Sequence, residues 1–546
     1  MNNRIQIALT VALFSALSAA WSWPLVCDPL DHLVSGVDTW GTVWTAGVAQ
    51  QLDGGLHTST TDWPDGQGLR RADSMLMLLV LSLGPGWIPP RLLVSLMVLL
   101  GPVLSALAAE RFAVEVLGAR WPHSLIAGVA YGFAGAAAGA LVGGQAYVLV
   151  NPWLPLLAWS WWRAGQPEGT PGHGVVAGLS WALAMATSAY VGLCATVVVL
   201  VLGADTLRRG ARPVRPWAGA AAVAIPAGLV QVWLFGSGQM RSGEAEQTVA
   251  VVREVMAGGS ATLTGWLAWT PGIGAACHAW FIPLGWVTVA LVAFAPVVLS
   301  ARRGWRVWAV LGLVGVALSL GPFIRVHSDF LPRLPWLLEP VVHTPMGRWV
   351  RFPARFAWVG TLGLGAVAAV VASELATRRP RLSGLLWVAA LLEVSQVTGS
   401  VARTAPVPSR APAVYASLPQ GSVVLDLFPT VMGMPFDHEL LMADLSCAWQ
   451  AEHGHTIATR CLDTALNDDT RSQASDWLHD KALQGARPDA LSAHLAELGI
   501  TTVVWFPDAY VPHDAAVVGA ALEAALGAPV AESDNAGLRA FAFSVR

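Results

Sequence analysis

Charge is what this sequence has least of. Only 12% of its 546 residues are Asp, Glu, Lys or Arg, while 55% are hydrophobic, and the mean hydropathy is +0.54. An ordinary soluble domain carries roughly 25% charged residues. So few charges cannot solvate a globular surface, which excludes a soluble enzyme and indicates a polytopic membrane protein. Lysine is almost missing: Lys481 stands alone against 31 Arg, leaving little for a lysine-based mechanism. The net charge of −3, with basic residues scattered over short loops, excludes a nucleic-acid partner. The five cysteines, at 27, 194, 277, 447 and 461, include no CxxC, so a zinc site has no support. No internal repeat is found, which excludes a solenoid.

What is abundant is apolar length and tryptophan. Spans are expected at 5–26, 91–109, 123–142, 146–162, 173–191, 193–207, 217–236, 281–300, 306–323, 354–375 and 382–400, about eleven transmembrane helices. Residues 5–26 also read as a cleavable signal peptide, with Ser18-Ala19-Ala20 as the small-residue site. A run that continues through Trp21 and Trp23 favours a retained span. Residues 75–83, MLMLLVLSL, are too short to cross and read as an interfacial or re-entrant helix. Loops at 110–122, 163–173, 205–216, 301–306 and 376–381 hold many arginines and are expected in the cytoplasm. The N-terminus is then cytoplasmic. The first loop (27–90) and everything after about residue 400 face outward, which in a bacterial inner membrane means the periplasm. The expected domains are a membrane part, 1–400, and an extracytoplasmic α/β domain, 401–546, with strands at 422–428, 501–506 and 538–545 and helices at 473–484, 489–498 and 514–526.

The polar stretch Ser35 to Gly66 concentrates candidate chemistry. Asp38 lies just past an apolar run, at the membrane surface, where a carboxylate stays ionised yet meets lipid-borne substrate. It also reads as a helix N-cap before Thr39-Trp40, and the two roles are compatible. Asp62 and Asp65, in Asp-Trp-Pro-Asp-Gly, read either as turn residues or as substrate ligands. Arg348, Arg351 and Arg355, at the outer end of the tenth span, suit either headgroups or a substrate phosphate. His32, His57, His327, Asp329 and His343 leave a divalent cation open as a cofactor, without a spacing that demands one. Glu244, Glu246 and Glu254 read as a solvated helix face, and Glu393 as an acid inside an apolar span. Cys447 and Cys461 can pair in an oxidising compartment or stay free.

Several motifs then occur in order: Val37-Asp38-Thr39-Trp40 to Trp44; Thr61-Asp62-Trp63-Pro64-Asp65-Gly66; Gly143-Gly144-Gln145 before Asn151-Pro152-Trp153-Leu154-Pro155; Leu320-Gly321-Pro322; and Arg351-Phe352-Pro353-Ala354-Arg355-Phe356. In this order the chain resembles the GT-C superfamily, bacterial polytopic proteins related to lipid-linked-sugar glycosyltransferases. One departure stands out: Gly144-Gln145 replaces the family's usual Gly-His. The resemblance implies an inverting transferase that takes a sugar from a polyprenyl-phosphate donor to an outward-facing glycan, lipid or protein acceptor. Asp38 matches the family's first-loop acid, the general base, and Asp62, Asp65, Gln145, Arg348, Arg351 and Arg355 become the substrate-binding candidates. Trp449-Gln450 and His453-Gly454-His455 resemble a segment recurrent in the tails of such proteins. The alternatives are a non-catalytic GT-C-like scaffold for envelope polysaccharide assembly, and a transporter or flippase. The near absence of charge inside the spans disfavours transport.

Overall fold

The structure, a computed structural model, describes residues 3–23, 25–30, 32–33, 39–48, 57–58, 67–68, 88–133, 135–210, 214–239, 249–258, 260–263, 266, 284–302, 304–324, 334–344, 347, 350, 352–401, 407–408, 410–427, 446–447, 449–450, 452–458, 478, 481–482, 484–485, 487–510, 512–535 and 538–545. In chain order the helices are α1 (Asn3–Trp21), α2 (Thr39–Val48), α3 (Pro90–Leu117), α4 (Leu125–Gly132), α5 (Ala136–Val142), α6 (Ala146–Leu149), α7 (Trp153–Ala164), α8 (Pro171–Thr187), α9 (Ala189–Arg208), α10 (Val214–Gln239), α11 (Val249–Gly258), α12 (Trp286–Val298), α13 (Trp305–Ser319), α14 (Glu339–Val342), α15 (Ala357–Arg378), α16 (Pro380–Val401), α17 (Pro488–Glu497) and α18 (Pro512–Leu526). The chain divides into two compact units. One comprises Met1–Cys27, Asp73–Met77 and Leu96–Ala405; the other comprises Asp28–Ala72, Leu78–Ser95 and Pro406–Arg546. The loop after the first helix is thus grouped with the tail.

Arg4–Trp21, Pro90–Leu117, Ala189–Arg208 and Pro353–Arg378, which belong to the first unit except for Pro90–Ser95, are long and apolar enough to cross a membrane. Leu200 on one of these helices, and Leu229, Leu313 and Leu385 on α10, α13 and α16, are exposed, as leucines facing hydrocarbon are. This is a helical membrane protein. Several expected spans are interrupted for local reasons. The run at 123–142 breaks between α4 and α5, where Gly135 takes φ 56°, a conformation that only glycine adopts readily. The run at 146–162 breaks at Asn151-Pro152, because proline offers no N–H and keeps the residue before it out of the helical region. Between α8 and α9 the break falls at Ser188, whose backbone is extended (φ −166°, ψ 145°) and whose Oγ accepts from the Tyr190 N–H at 3.3 Å.

Helix α15 is the axis of this unit. Every residue from Ala357 to Ser373 is buried, and α4, α12, α13 and α16 pack around it. Its sequence, rich in Gly and Ala, explains why. A Cβ added at Gly363 would lie 2.5 Å from the Gly312 nitrogen and 2.6 Å from the Trp308 carbonyl oxygen, and one at Gly315 would collide with the main chain of Gly360. Small residues on both helices let the α13 and α15 backbones touch, the close approach that holds helices together where lipid is as apolar as leucine.

In the second unit a five-stranded sheet runs in the order β10 (Ala531–Asn535), β11 (Leu538–Ser544), β9 (Thr502–Trp505), β7 (Val423–Leu427), β8 (Thr456–Ile457). Strand β7 is parallel to β8 and β9, while β9, β11 and β10 pair antiparallel. All five residues of β7 are buried, as a central parallel strand requires. Leu425, Leu427, Leu491, Leu495, Val503, Val518, Leu522 and Phe543 form the core beneath α17 and α18. A short antiparallel pair joins the segment after α1 to the linker after α16: β1 (His32–Leu33) lies against β6 (Val407–Pro408), with Leu33 opposite Val407. Leu33 and most of α2, including Thr42, Val43 and Trp44, are buried. Cys447 is disulfide-bonded; Cys461, its expected partner, and the apolar run 75–83 lie outside the described residues.

Candidate active site

Arg355 sits on the 3-10 turn Pro353–Phe356 that leads into α15. Proline at 353 keeps Phe352 out of the helix, and the Phe352 N–H donates to Tyr190 Oη at 3.1 Å. The guanidinium then stacks over two rings, 4.4 Å from the Tyr190 centroid and 5.0 Å from that of Phe352. Only 6% of the residue is exposed, and its carbonyl accepts the Cys194 thiol at 3.5 Å. Aromatic faces compensate part of the lost hydration of a buried cation while setting the plane of its N–H fork. This geometry suits a bidentate contact to a phosphate.

Gln145 lies between α5 and α6, behind Gly144 (φ 73°), and is 5% exposed. Six residues on, Asn151 is completely buried. Its backbone N–H is held by Ser105 Oγ at 3.0 Å and its carbonyl by Tyr131 Oη at 2.9 Å. Among the described residues, neither its side-chain oxygen nor its side-chain nitrogen has a hydrogen-bond partner, a cost of roughly 1–3 kcal/mol per group unless a bound molecule supplies one. Tyr131 in turn packs edge-on against Trp358 of α15, with centroids 5.2 Å apart. Asn151 and Tyr190 are what reading the sequence for chemistry passed over. Asn151 enters the sequence reading only within the motif Asn151-Pro152-Trp153-Leu154-Pro155, inside one expected span, and Tyr190 is given no chemical role there. The one signal was scarcity, since the chain has only five tyrosines.

Asp38, Asp62, Asp65, Arg348 and Arg351 lie outside the described residues. The helix expected to follow Asp38 is α2, beginning at Thr39, which is buried. Of the residues considered for a cation, His343 faces Glu339 at 3.8 Å, and Glu339 also pairs with Arg253 at 2.6 Å. His327 and Asp329 lie outside the described residues. Among the described residues no three His, Cys, Asp or Glu gather to hold a metal. Glu254 and Glu393 fall on α11 and α16.

No protein-family model and no curated protein matches the sequence. Solved structures do. The whole chain aligns with the arabinofuranosyltransferase AftD from Mycobacteria at TM-score 0.54 and 16% identity, spanning about two-fifths (40%) of that protein's length. It aligns over 100% of its length and 99% of the partner's with ArnT from Cupriavidus metallidurans bound to undecaprenyl phosphate, at TM-score 0.52 and 12% identity. Over 96% of its length and 71% of the partner's it matches the Archaeoglobus fulgidus oligosaccharyltransferase tethered with an acceptor peptide, at TM-score 0.51 and 11% identity. The fold is GT-C.

The tail carries a second polar cluster, all of it in the second unit. Asp426, at the centre of buried β7, accepts hydrogen bonds from Tyr415 Oη at 2.7 Å and from Ser446 Oγ. Burial outweighs both bonds and pushes its carboxyl up to about 6. His453 stacks on the Tyr415 ring at 4.2 Å, and its Nδ1 accepts the His455 N–H at 3.0 Å. The residue as a whole is only half-buried, but its Nε2 is out of solvent and has no partner among the described residues. Loss of hydration, followed by the charge of His455, pushes the imidazole down to about 3. The His455 imidazole Nε2 lies 3.1 Å from the Tyr415 carbonyl oxygen, and Trp449 is buried against Phe506, with centroids 5.5 Å apart.

Proposed function

We propose that this GT-C protein is a membrane glycosyltransferase that moves a sugar from a polyprenyl-phosphate donor to an extracytoplasmic acceptor by a single inverting displacement. The observation that carries the proposal is the buried, ring-stacked Arg355, in a fold shared with a protein that was solved with undecaprenyl phosphate bound. Asp38 takes the proton from the acceptor hydroxyl as its oxygen bonds to the anomeric carbon. The carbon–oxygen bond to the lipid phosphate breaks, and the phosphate leaves with the electron pair. General-base assistance of this kind is worth roughly 10²- to 10⁴-fold. Arg355, with Arg348 and Arg351, stabilises the charge that develops on the departing phosphate. Gln145, Asp62 and Asp65 orient the sugar and the acceptor. The topology that goes with this chemistry has about eleven spans in a bacterial inner membrane, a cytoplasmic N-terminus and an outward tail.

Mass spectrometry of lipid-linked sugars in cells lacking the protein identifies the donor as the species that accumulates. With that donor, Asp38→Asn in purified lipid-embedded protein keeps the shape and the capping oxygen but removes the proton acceptor. Thermal stability stays near the parent's while turnover falls by roughly two to four orders of magnitude. Turnover at the parent rate would remove Asp38 as the base, whereas no turnover by the parent protein itself would leave the scaffold reading.

A further inference from the structure

The tail segment Cys447 to His455 meets the start of α3 where Glu452 faces Arg91. Arg91, mostly covered at 13% side-chain exposure, forms an ion pair with Glu452 and donates to the Leu30 carbonyl oxygen at 3.4 Å. The same Glu452 Oε2 accepts the Ala411 N–H at 2.8 Å. Two side chains therefore tie together the chain leaving α1, the start of α3, the linker after α16 and the tail. Just beyond Leu30, β1 pairs with β6. The expected base, Asp38, falls in the five residues between Leu33 and Thr39, so both ends of its short connection belong to this braced unit. Glu452 is presented from a stiff frame. Ser446 is anchored on Asp426, His453 and His455 are held on Tyr415, and the Ala458 N–H bonds to the Val424 carbonyl at 2.8 Å.

We infer that the tail is a brace for the acid-bearing loop, in which Glu452 and Arg91 are positioning residues that hold residues 28–48 in a working conformation. The kinetic half of this inference rests on the proposed transferase function; the mechanical half does not. An ion pair out in solvent contributes little. This one differs because Arg91 is largely desolvated and a main-chain donor shares the carboxylate.

The test is hydrogen–deuterium exchange on the full-length protein in lipid nanodiscs, comparing the parent with Glu452→Gln, Glu452→Ala and Arg91→Gln. The expected result is roughly five- to tenfold faster exchange confined to residues 28–48 in all three variants. Glu452→Ala additionally frees Ala411, because the Gln oxygen can still accept that N–H. Unchanged exchange there, or an equal rise across β7, β9 and β11, overturns the brace, since the second pattern is general opening of the tail. With a donor in hand, loosening the base lowers kcat and leaves the KM for donor unchanged. Faster loop exchange with unaltered kcat overturns the positioning role. If the parent itself shows no turnover, the transferase reading fails and the brace stands or falls on exchange alone.

Discussion

Helix α15 from Ala357 to Ser373 and strand β7 are both buried throughout, yet opposite compositions bury them. Over Ala357–Ser373 the helix is mostly Gly, Ala and Val, and at Gly312, Gly315, Gly360 and Gly363 neighbouring backbones come into direct contact. The strand, Val-Val-Leu-Asp-Leu, fills its surroundings with large side chains and one acid. In hydrocarbon no water is expelled when helices meet, so stability comes from how closely they approach, and side-chain bulk obstructs it. In the tail the driving force is water released from large apolar groups, and bulk supplies it. The two units should therefore fail under opposite mutations.

The largest effect is expected from adding bulk to the helix. Gly363→Leu has nowhere to put even its Cβ, so it should cost about 3 kcal/mol or more and abolish the folded membrane unit. Size-exclusion chromatography and thermal melting of the purified protein check this, and a parent-like melt would show that the α13–α15 contact is looser than described. Removing bulk from the strand comes next. Leu427→Ala, at a fully buried position, should cost about 3 kcal/mol through lost transfer energy and the cavity left behind. The damage should appear as exchange in the tail sheet with α15 still protected. Protection lost equally in both units would mean that they unfold as one.

The smallest effect sharpens the contrast by pH, because titratable groups are buried in the tail. Asp426 has its folded value raised from 3.8 to about 6, so the fold binds that proton more tightly than the unfolded chain does. Its contribution to stability is greatest below 3.8 and is lost as pH rises through 6. His453 is lowered from 6.5 to about 3, so its contribution is present above 6.5 and is lost as pH falls towards 3. The two oppose each other, with His453 slightly the larger. His453→Phe keeps the stack on Tyr415 and should convert a tail that weakens on acidification from pH 7 to 4.5 into one that strengthens by about 2 kcal/mol. Asp426→Asn should steepen the loss instead. Parallel stability–pH curves for the parent and both variants would contradict these assignments.

The parts of the tail legible in the sequence were those whose side chains repeat the geometry. SVVLDLF, TTVVWF and LRAFAFSV are apolar enough to be strands in any context, and they lie at β7, β9 and β11. Strand β10, AESDN, is polar and poor in strand-forming residues, and it exists because β11 supplies a register from Ala531↔Ala542 to Asn535↔Leu538. In the membrane unit, hydropathy marked where apolar chain lies but not where it turns. The breaks at Gly135 and Ser188 are single backbone conformations that no running average of hydropathy detects. Arg355 was visible because RFPARF is a cationic turn at a span end. Its setting was not, because Tyr190 is 165 residues away in sequence and only the fold brings it there. Asp426 went unnoticed as an acid because its neighbours made the segment read as a strand.

The pairing of β1 with β6 also sets an order in time. Leu33 is synthesised early and Val407, its partner, only after the entire membrane region has been made. At ribosomal speeds of roughly 5–20 residues per second, the interval is on the order of twenty seconds to a minute. Throughout that interval β1 is without β6, and Arg91 is without Glu452. A chain interrupted anywhere before the linker would carry β1 but neither β6 nor Glu452, so this pairing forms only once the linker and tail have been made.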